Sequence, residues 1–292
     1  MSSKFVSHNN QIVSKDSPIL YASNRSFCYG DGFFESIRIT DNEMPFLQHH
    51  FNRIVETAKI LEMQLPNDLS IDIIRHTVKS LIEKNKIDKE GKVRINVYRS
   101  EGGLYAPENN TSSYIIDVMP LNNQKNGFEL NSKGFKVDIF QKIKKPCNIL
   151  SGVKSCNSLL YVLAGKYKLD NDLDDAVILN EKLNVCEFSG SNLFISINGV
   201  LYTPSISEGC VNGVMRNIII DMAKTLRINV YEIELKPNDL IRADEIFMTN
   251  AVNGIQWIGA YKAKRFFNKV SKNLIDALNK FASEQKALLI EN

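Results

Sequence analysis

The sequence predicts a mixed α/β and α+β protein built from two domains. Strand-like and amphipathic helical segments alternate in the first part of the chain, and the second part contains short strands separated by turns, with helices interspersed. A polar, turn-rich stretch at 120–127 lies between the two parts. We therefore expect a small N-terminal α/β domain at 1–122, a linker at 123–130 and a large C-terminal domain at 131–292.

The spacing of apolar residues predicts the individual elements. In the first domain we expect strands at 34–39, 93–98 and 114–118, and amphipathic helices at 50–63 and 71–87. In the second domain we expect strands at 135–140, 175–179, 193–197 and 200–202, and helices at 158–170, 214–226 and 274–289. Asn198 and Gly199 are predicted to form the hairpin turn between the last two strands.

Composition argues against several classes of function. The five cysteines are scattered without a CxxC pair and the four histidines form no HExxH motif, so we expect no metal site. The net charge is only +3 and the basic residues are mixed with acids, so we expect no nucleic-acid partner. The apolar runs are far shorter than a membrane span and Met1–Lys4 begins no apolar signal core, so we expect a cytoplasmic protein.

Two common enzyme classes lack their motifs here. No GxGxxG follows a strand and no GxxxxGK[ST] occurs, so the sequence does not signal a dinucleotide or P-loop nucleotide site. The nearest approach to the GxSxG elbow of hydrolases is the segment SGSNLF at Ser189, which fails the pattern.

The remaining polar residues fit one cofactor. Lys154, in the segment SGVKSCN, lies between apolar flanks, where an amine either reaches water or loses its charge and becomes able to form a Schiff base with an aldehyde. Glu187 precedes a predicted strand and could keep a ring nitrogen protonated. The segment NGVMR at 212–216 offers backbone amides at a helix start, and Arg53 offers a guanidinium, both of which suit a phosphate.

Six segments, taken in order, resemble the class IV aminotransferase family of pyridoxal phosphate enzymes. This fold-type IV group includes branched-chain and D-amino-acid aminotransferases and aminodeoxychorismate lyase. The segments cover nearly the whole chain: YGDGFFESIRI at 29–39, HHFNRIVETAKIL at 49–61, GVKSCNSLLYVLA at 152–164, VCEFSGSNLFISINGVLYTP at 185–204, GCVNGVMRNIII at 209–220 and ADEIFMTNAVNGI at 243–255.

The resemblance implies a role for each matching residue. Lys154 matches the catalytic lysine that binds pyridoxal 5'-phosphate covalently, Glu187 the partner of the pyridine nitrogen and Arg53 the phosphate-binding arginine. The remaining cofactor-binding positions are Gly213, Val214, Met215, Asn250 and Ala251. The family architecture is D-amino-acid aminotransferase-like, with a small N-terminal domain, a larger C-terminal domain that has a barrel-like sheet and carries the lysine, and a homodimeric assembly.

Candidates for substrate binding are Phe34, Arg38, Arg94, Arg99 and Tyr105. Any of the three arginines could bind a substrate carboxylate through its guanidinium, and Arg38 is the preferred candidate. In the family, the loop that holds Tyr105 lies near the neighbouring subunit's site, so this tyrosine is a candidate contact across the dimer.

The residues leave two activities open. Glu35 and Arg38 fit the F-E-x-x-R pattern of transaminases, which move an amino group between an amino acid and a 2-oxo acid. Met215 and Ala251 stand where the aminotransferases usually have threonine, and with Asn157 they favour aminodeoxychorismate lyase, which releases pyruvate and 4-aminobenzoate for folate synthesis. A third alternative, a non-catalytic dimeric binding protein on the same fold, is disfavoured because the cofactor lysine and carboxylate are both present.

Overall fold

A computed structural model describes residues 3–121 and 127–290 of the chain. These residues form two compact units. The first contains the described residues up to Gly127, together with Lys154–Asn157 and the end of the chain from Ala282. The second contains Phe128–Val153 and Ser158–Phe281. Residues 123–126 of the predicted linker lie outside the described residues.

The first unit contains a five-stranded antiparallel sheet in the order β2-β1-β5-β4-β3. Its strands are β1 (Phe5–His8), β2 (Gln11–Ser14), β3 (Gly32–Ile39), β4 (Gly91–Arg99) and β5 (Ser112–Pro120). Its helices are α1 (Arg25–Tyr29), α2 (Leu47–Ile60) and α3 (Ile71–Asn85). Ser70 begins α3 by accepting a hydrogen bond from the amide of Ile73, which satisfies one of the donors that a helix start leaves open.

The second unit is built on a larger mixed sheet in the order β11-β10-β9-β12-β13-β6-β7-β8, with β14 paired to β13. The strands are β6 (Phe135–Lys145), β7 (Asp175–Asn180), β8 (Val185–Phe188), β9 (Asn192–Ile197), β10 (Val200–Pro204), β11 (Val230–Ile233), β12 (Glu245–Asn250), β13 (Gly254–Tyr261) and β14 (Lys264–Arg265). The helices are α4 (Leu159–Asp170), α5 (Val214–Thr225), α6 (Pro237–Arg242) and α7 (Lys269–Ile290), the last of which extends beyond this unit.

The sheet of the second unit is curled, and its concave face closes around one core. Side chains from β6, β7, β8, β9, β12 and β13 meet in a single buried cluster, together with Leu235 and Leu240 from the region of α6. Such a half-barrel confirms the predicted barrel-like sheet, and the mixed α/β and α+β class is confirmed as well. Within the described ranges, no helix is both long and apolar enough to cross a bilayer.

The predicted elements are present, and most of the strands extend beyond their predicted ends. The strand predicted at 135–140 continues to Lys145, and the helix predicted at 50–63 begins three residues earlier, at Leu47. Seven strands were not predicted: β1, β2, β8, β11, β12, β13 and β14. Five of them have four residues or fewer, too few for a clear period-two pattern, and β12 is buried along almost its whole length without alternation.

Candidate active site

Lys154 lies beside β3, the edge strand of the first unit. The Phe34 amide donates to the Lys154 carbonyl oxygen at 3.0 Å, and the Cys156 amide donates to the Gly32 carbonyl oxygen at 2.8 Å. These two bonds use backbone groups that an edge strand leaves open, and they attach the segment Lys154–Asn157 to the sheet. The backbone of the lysine is therefore held by regular hydrogen bonds, while its side chain is half-buried.

The aromatic ring of Phe34 brings Lys154 close to Arg94. The Lys154 Nζ atom lies 4.2 Å from the ring centroid, and the Arg94 Cζ atom lies 3.8 Å from the same centroid. Arg94 is oriented by a hydrogen bond from its Nε to the Asn96 side-chain oxygen at 3.0 Å. Burial lowers the pKa of Arg94, but a guanidinium still keeps its charge at neutral pH. Three of the predicted site residues thus form one group.

Arg53 is held by a buried carboxylate. Glu35, on β3, accepts from Arg53 Nε at 2.7 Å and from Arg53 Nη2 at 2.6 Å, a two-bond pairing of the kind that fixes a guanidinium plane. The same carboxylate accepts from Nδ1 of His50 at 2.7 Å. Because His50 and Arg53 lie three residues apart on α2, both side chains reach the strand from one helix face.

The electrostatics of this group fix its protonation. Burial alone would raise the pKa of Glu35, but the Arg53 guanidinium and the His50 ring outweigh burial and lower the pKa to about 2. Burial lowers the pKa of His50, so its ring is neutral at pH 7 and donates its Nδ1 proton to Glu35. The carboxylate therefore stays ionised, and Arg53 is presented in one orientation.

Arg38 and Arg99 are engaged elsewhere in the first unit. Arg38 is 2% exposed and bonds through Nη2 to Glu90 at 2.5 Å and to the Gly127 carbonyl oxygen at 2.7 Å. The Arg99 guanidinium binds Asp31 and the carbonyl oxygens of residues 61 and 62. This arrangement does not support the expectation that either side chain binds a substrate carboxylate, because each is buried and paired within the fold.

Tyr105 lies on a projecting loop with its side chain 88% exposed. Arg25 orders this loop by donating through Nη1 to the carbonyl oxygens of Gly102 and Leu104, at 3.0 and 2.5 Å. The Tyr105 ring packs on Tyr29 with a centroid distance of 5.5 Å. The exposed ring is therefore held in place by its own unit.

Glu187, on β8 of the second unit, is buried among three donors. Its Oε1 atom accepts from Lys145 Nζ at 2.5 Å and from the Tyr161 hydroxyl at 2.7 Å, and its Oε2 atom accepts from the Val211 amide at 2.9 Å. A carboxylate offers about four acceptor positions, so one remains, on Oε2. Burial and the neighbouring Glu187 charge raise the pKa of Tyr161, which keeps its hydroxyl a donor.

The start of α5 has no side-chain cap. Gly213 occupies the N-cap position and supplies no side chain to cap the helix. A Cβ atom at Gly213 would lie 1.9 Å from the Asn192 side-chain oxygen, so a larger residue here would have to displace the Asn192 side chain. Asn192 in turn donates to the Val211 carbonyl oxygen at 2.8 Å. The amides of the first helical turn, including those of Val214 and Met215, are the donors that helix starts offer to anions.

The turn after β12 contains the predicted residues Asn250 and Ala251. The Asn250 side-chain oxygen accepts from the amides of Val252 and Asn253 at 3.0 and 2.8 Å, which fixes the turn. Thr249, opposite Asn192 in the sheet, has a buried hydroxyl with no hydrogen-bond partner among the described residues. A buried donor without a partner is costly, so this hydroxyl is available to a ligand atom.

Sequence reasoning missed three residues of this region: Lys145, Tyr161 and Thr249. Lys145 belongs to the run KIKK, in which the sequence does not say which lysine points inward. Tyr161 lies inside the apolar run 159–164, and its hydroxyl is the feature of that run that could have indicated a polar contact. Thr249 directly precedes the predicted position Asn250.

Comparisons with known proteins identify the family. Residues 32–261 match amino-transferase class IV. A Methanocaldococcus jannaschii protein with the provisional name of branched-chain-amino-acid aminotransferase is 30% identical over 249 residues, which cover 82% of each chain. The D-alanine aminotransferase of Listeria monocytogenes is 28% identical over 252 residues, which cover 83% of this chain and 82% of the relative.

Solved structures share the fold. A Brucella abortus aminotransferase bound to pyridoxal phosphate superposes with a TM-score of 0.84 at 21% identity, covering 96% of this chain and 99% of its own. A Legionella pneumophila protein provisionally named 4-amino-4-deoxychorismate lyase gives a TM-score of 0.81 at 24% identity, covering 91% of this chain and 97% of its own. The chain belongs to the class IV amino-transferase family, and the predicted family, fold type and enzyme class are confirmed.

The Glu35 ion pair predicts a pH-dependent stability. Because the folded-state pKa of about 2 lies below the unfolded value, the stabilisation is complete above about pH 5 and is lost as the pH falls toward 2. We expect Glu35→Gln to lower the free energy of unfolding by about 3 kcal/mol at pH 7 and by much less at pH 3. Urea denaturation across this range measures the difference.

The control is Glu56→Gln, which removes an exposed carboxylate from α2. It should change the free energy of unfolding by less than about 0.5 kcal/mol at either pH. A Glu35→Gln deficit of the same size at pH 3 and pH 7 would contradict the proposed ion pair.

Proposed function

We propose that this chain is a pyridoxal phosphate-dependent aminotransferase that moves an amino group between an amino acid and a 2-oxo acid, with Lys154 as the attachment lysine. The observation that carries the proposal is the buried carboxylate of Glu187, which three donors hold in place while one acceptor position on Oε2 remains. A protonated ring nitrogen is the donor that fits this position. Family membership and the pyridoxal phosphate bound by the Brucella relative support the choice of cofactor.

The residues present fit the chemistry of the cofactor. Its phosphate is a dianion, for which the uncapped start of α5 at Gly213 and the partnerless hydroxyl of Thr249 are suitable donors. By the family correspondence, Arg53, whose guanidinium Glu35 orients, is the phosphate-binding arginine. By the family correspondence, Asn250 and Ala251 would complete the phosphate site. When bound, pyridoxal phosphate supplies an aldehyde for the lysine and an electron sink for the carbanion that forms at the substrate α-carbon.

The protein side chains would bind the substrate and move its proton. Lys154 would attach the cofactor and, once released by the incoming amine, would hold and return the α-proton at Nζ. Arg94 shares the Phe34 ring with Lys154, so its guanidinium would bind a substrate carboxylate near that amine. The Phe34 ring would fix the separation of the two groups.

Aminodeoxychorismate lyase is a second candidate, because two positions lack a hydroxyl. Met215, at the start of α5, is buried and apolar, and Ala251 follows Asn250 in the turn after β12. The lyase would use the same Lys154 and Glu187 but would release pyruvate without a 2-oxo acid acceptor.

We also propose that a second copy of the chain covers helix α4. One side of α4 packs on a core cluster through Leu160, Tyr161 and Ala164, yet Leu159 on the other side is 77% exposed. Further exposed apolar side chains extend this surface: Ile149, Leu150, Val162 and Leu163. A helix that is apolar on all sides is normally buried, and a homodimer would bury it. By the family correspondence alone, Tyr105 would contact the partner's site in a homodimer.

Replacing Lys154 tests the proposed activity. Wild-type protein loaded with pyridoxal phosphate should show a visible absorbance band and transfer amino groups from a panel of L- and D-amino acids to 2-oxo acids. Lys154→Ala should lack the band and lose at least 1,000-fold in turnover, roughly the loss seen on removing a catalytic nucleophile or base. Lys166→Ala, which removes an exposed lysine from α4, should behave as wild type.

Pyruvate release from aminodeoxychorismate without an acceptor would instead assign the lyase. A wild-type protein with neither activity would contradict both candidates.

Arg94 should control substrate affinity. We expect Arg94→Gln to raise KM for the carboxylate substrate by about 10- to 100-fold, because a charge-assisted pairing of about 1.5–3 kcal/mol is lost. Arg75→Gln, an exposed arginine on α3, is the matched control and should leave KM unchanged. Steady-state kinetics measure both variants, and an unchanged KM in Arg94→Gln would remove this residue from the proposed site.

The dimer can be measured by light scattering. The wild-type chain should give twice its mass of 33.1 kDa, and the double variant Leu159→Glu/Leu163→Glu should give the monomer mass, because it places two charges on the apolar surface. Lys79→Glu makes a charge change at an exposed lysine of α3, outside the proposed surface, and should remain dimeric. A monomeric wild-type protein, or a dimeric double variant, would refute this interface.

A further inference from the structure

Lys145 is a buried cation that the proposed function does not yet use. It is the last residue of β6, is 6% exposed and bonds to the Glu187 carboxylate at 2.5 Å. A lysine is rarely buried unless it is paired, because removing an ammonium from water costs several kcal/mol. Holding a cofactor ring nitrogen requires the carboxylate of Glu187, but it does not require a second cation on the same carboxylate.

We propose that Lys145 is the permanent counter-ion of Glu187. Before the cofactor binds, Lys145 keeps this carboxylate ionised. Afterwards it shares the carboxylate with the ring nitrogen and weakens the attraction of Glu187 for the ring proton. This inference rests on the proposed function. Lys145 is thereby a positioning residue that acts through Glu187.

The allocation of the carboxylate oxygens supports this role. Lys145 and Tyr161 both bond to Oε1, and Oε2 bonds to the Val211 amide, so the remaining acceptor position is on the oxygen away from Lys145. A ring N–H can therefore bind without displacing the lysine. A carboxylate that faces two cations attracts each more weakly than it would attract one, because its charge is already partly neutralised.

Among the described residues, the other titratable groups near the pair form no ion pair with Glu187. They come from α4, β8 and the segments around β6 and α5: Tyr161, Cys186, Cys147, Cys210 and Arg216. Burial raises the pKa of the Cys186 and Cys210 thiols, and burial with the Glu187 charge raises the pKa of Tyr161, so these groups stay neutral. The Arg216 guanidinium is bonded to Glu232 at 2.6 Å. Lys145 is thus the cation bonded to Glu187 in the described part of the chain.

The test compares Lys145→Met with Lys142→Met. Methionine matches the length of the lysine without its charge, and Lys142 is an exposed lysine on the same strand. Thermal midpoints, Tm, are measured on cofactor-stripped protein from pH 5.5 to 8.5 and again with saturating pyridoxal phosphate. The loaded proteins carry pyridoxal phosphate labelled with 15N at the ring nitrogen, and the chemical shift of this nitrogen is followed by NMR over the same range.

In stripped protein at pH 8.5, we expect Lys145→Met to lower Tm by about 5–10 °C. Without the ammonium, the buried carboxylate charge of Glu187 is left uncompensated, and its cost exists only while the group is ionised. The Tm deficit should therefore be smaller at pH 5.5 than at pH 8.5. Lys142→Met should match wild type throughout.

On loading, the cofactor ring should replace the missing cation. Saturating pyridoxal phosphate should raise Tm more in Lys145→Met than in wild type, and the pH midpoint of the ring-nitrogen chemical shift should move up by about one unit, because the ring proton is held more firmly. A Tm deficit that is the same at pH 5.5 and pH 8.5 would show that Lys145 only fills space. An equal gain on loading in both proteins, or an unmoved midpoint, would overturn the sharing of Glu187.

A double variant covers the case in which Lys145→Met does not fold. Lys145→Met/Glu187→Gln leaves no unpaired charge, so it should fold and recover most of the lost Tm. A double variant as unstable as the single one would overturn the proposal.

If wild type neither binds pyridoxal phosphate nor gains Tm with it, the proposed function fails. The pH dependence of the stripped proteins would still test the ion pair separately.

Discussion

The structure depends on how it compensates buried carboxylates. Glu187 in the second unit and Glu35 in the first are both nearly inaccessible to water, and an isolated carboxylate in such a place would be protonated or would destabilise the fold. Each is instead bonded to a cation, Lys145 and Arg53 respectively. The two carboxylates have different consequences. Glu35 uses its acceptor positions to orient Arg53 and His50, and Glu187 retains a position for a ligand donor.

Regular secondary structure places the reactive groups with little strain. Lys154 is attached to an edge strand by two ordinary backbone hydrogen bonds, so its amine starts from a fixed point beside Phe34. At the start of α5, a glycine N-cap leaves the first amides open to an anion. Within each unit, therefore, a regular element holds the proposed group: β3 holds the backbone of Lys154, and α5 holds the amides proposed to bind an anion.

The fold class could be predicted from the sequence because the relevant signals are local. Amphipathic spacing located α2 and α3, and ordered motifs singled out Lys154 and Glu187 as candidate site residues. Tertiary contacts could not be predicted in the same way. Arg38 appeared suited to a substrate, but the structure buries it against Glu90. The run KIKK gave no sign that its last lysine turns inward, since strand parity alone does not say which face meets a carboxylate 42 residues further along the chain.

Mass spectrometry can test whether Lys154 is the residue that binds pyridoxal phosphate covalently. The protein is loaded with pyridoxal phosphate, reduced with borohydride, digested, and mapped for the modified peptide. We expect one modified site, at Lys154, that forms in near-stoichiometric yield and is lost in Lys154→Ala. Modification at another lysine, such as the buried Lys145, or no modification at all, would rule out Lys154 as the attachment residue.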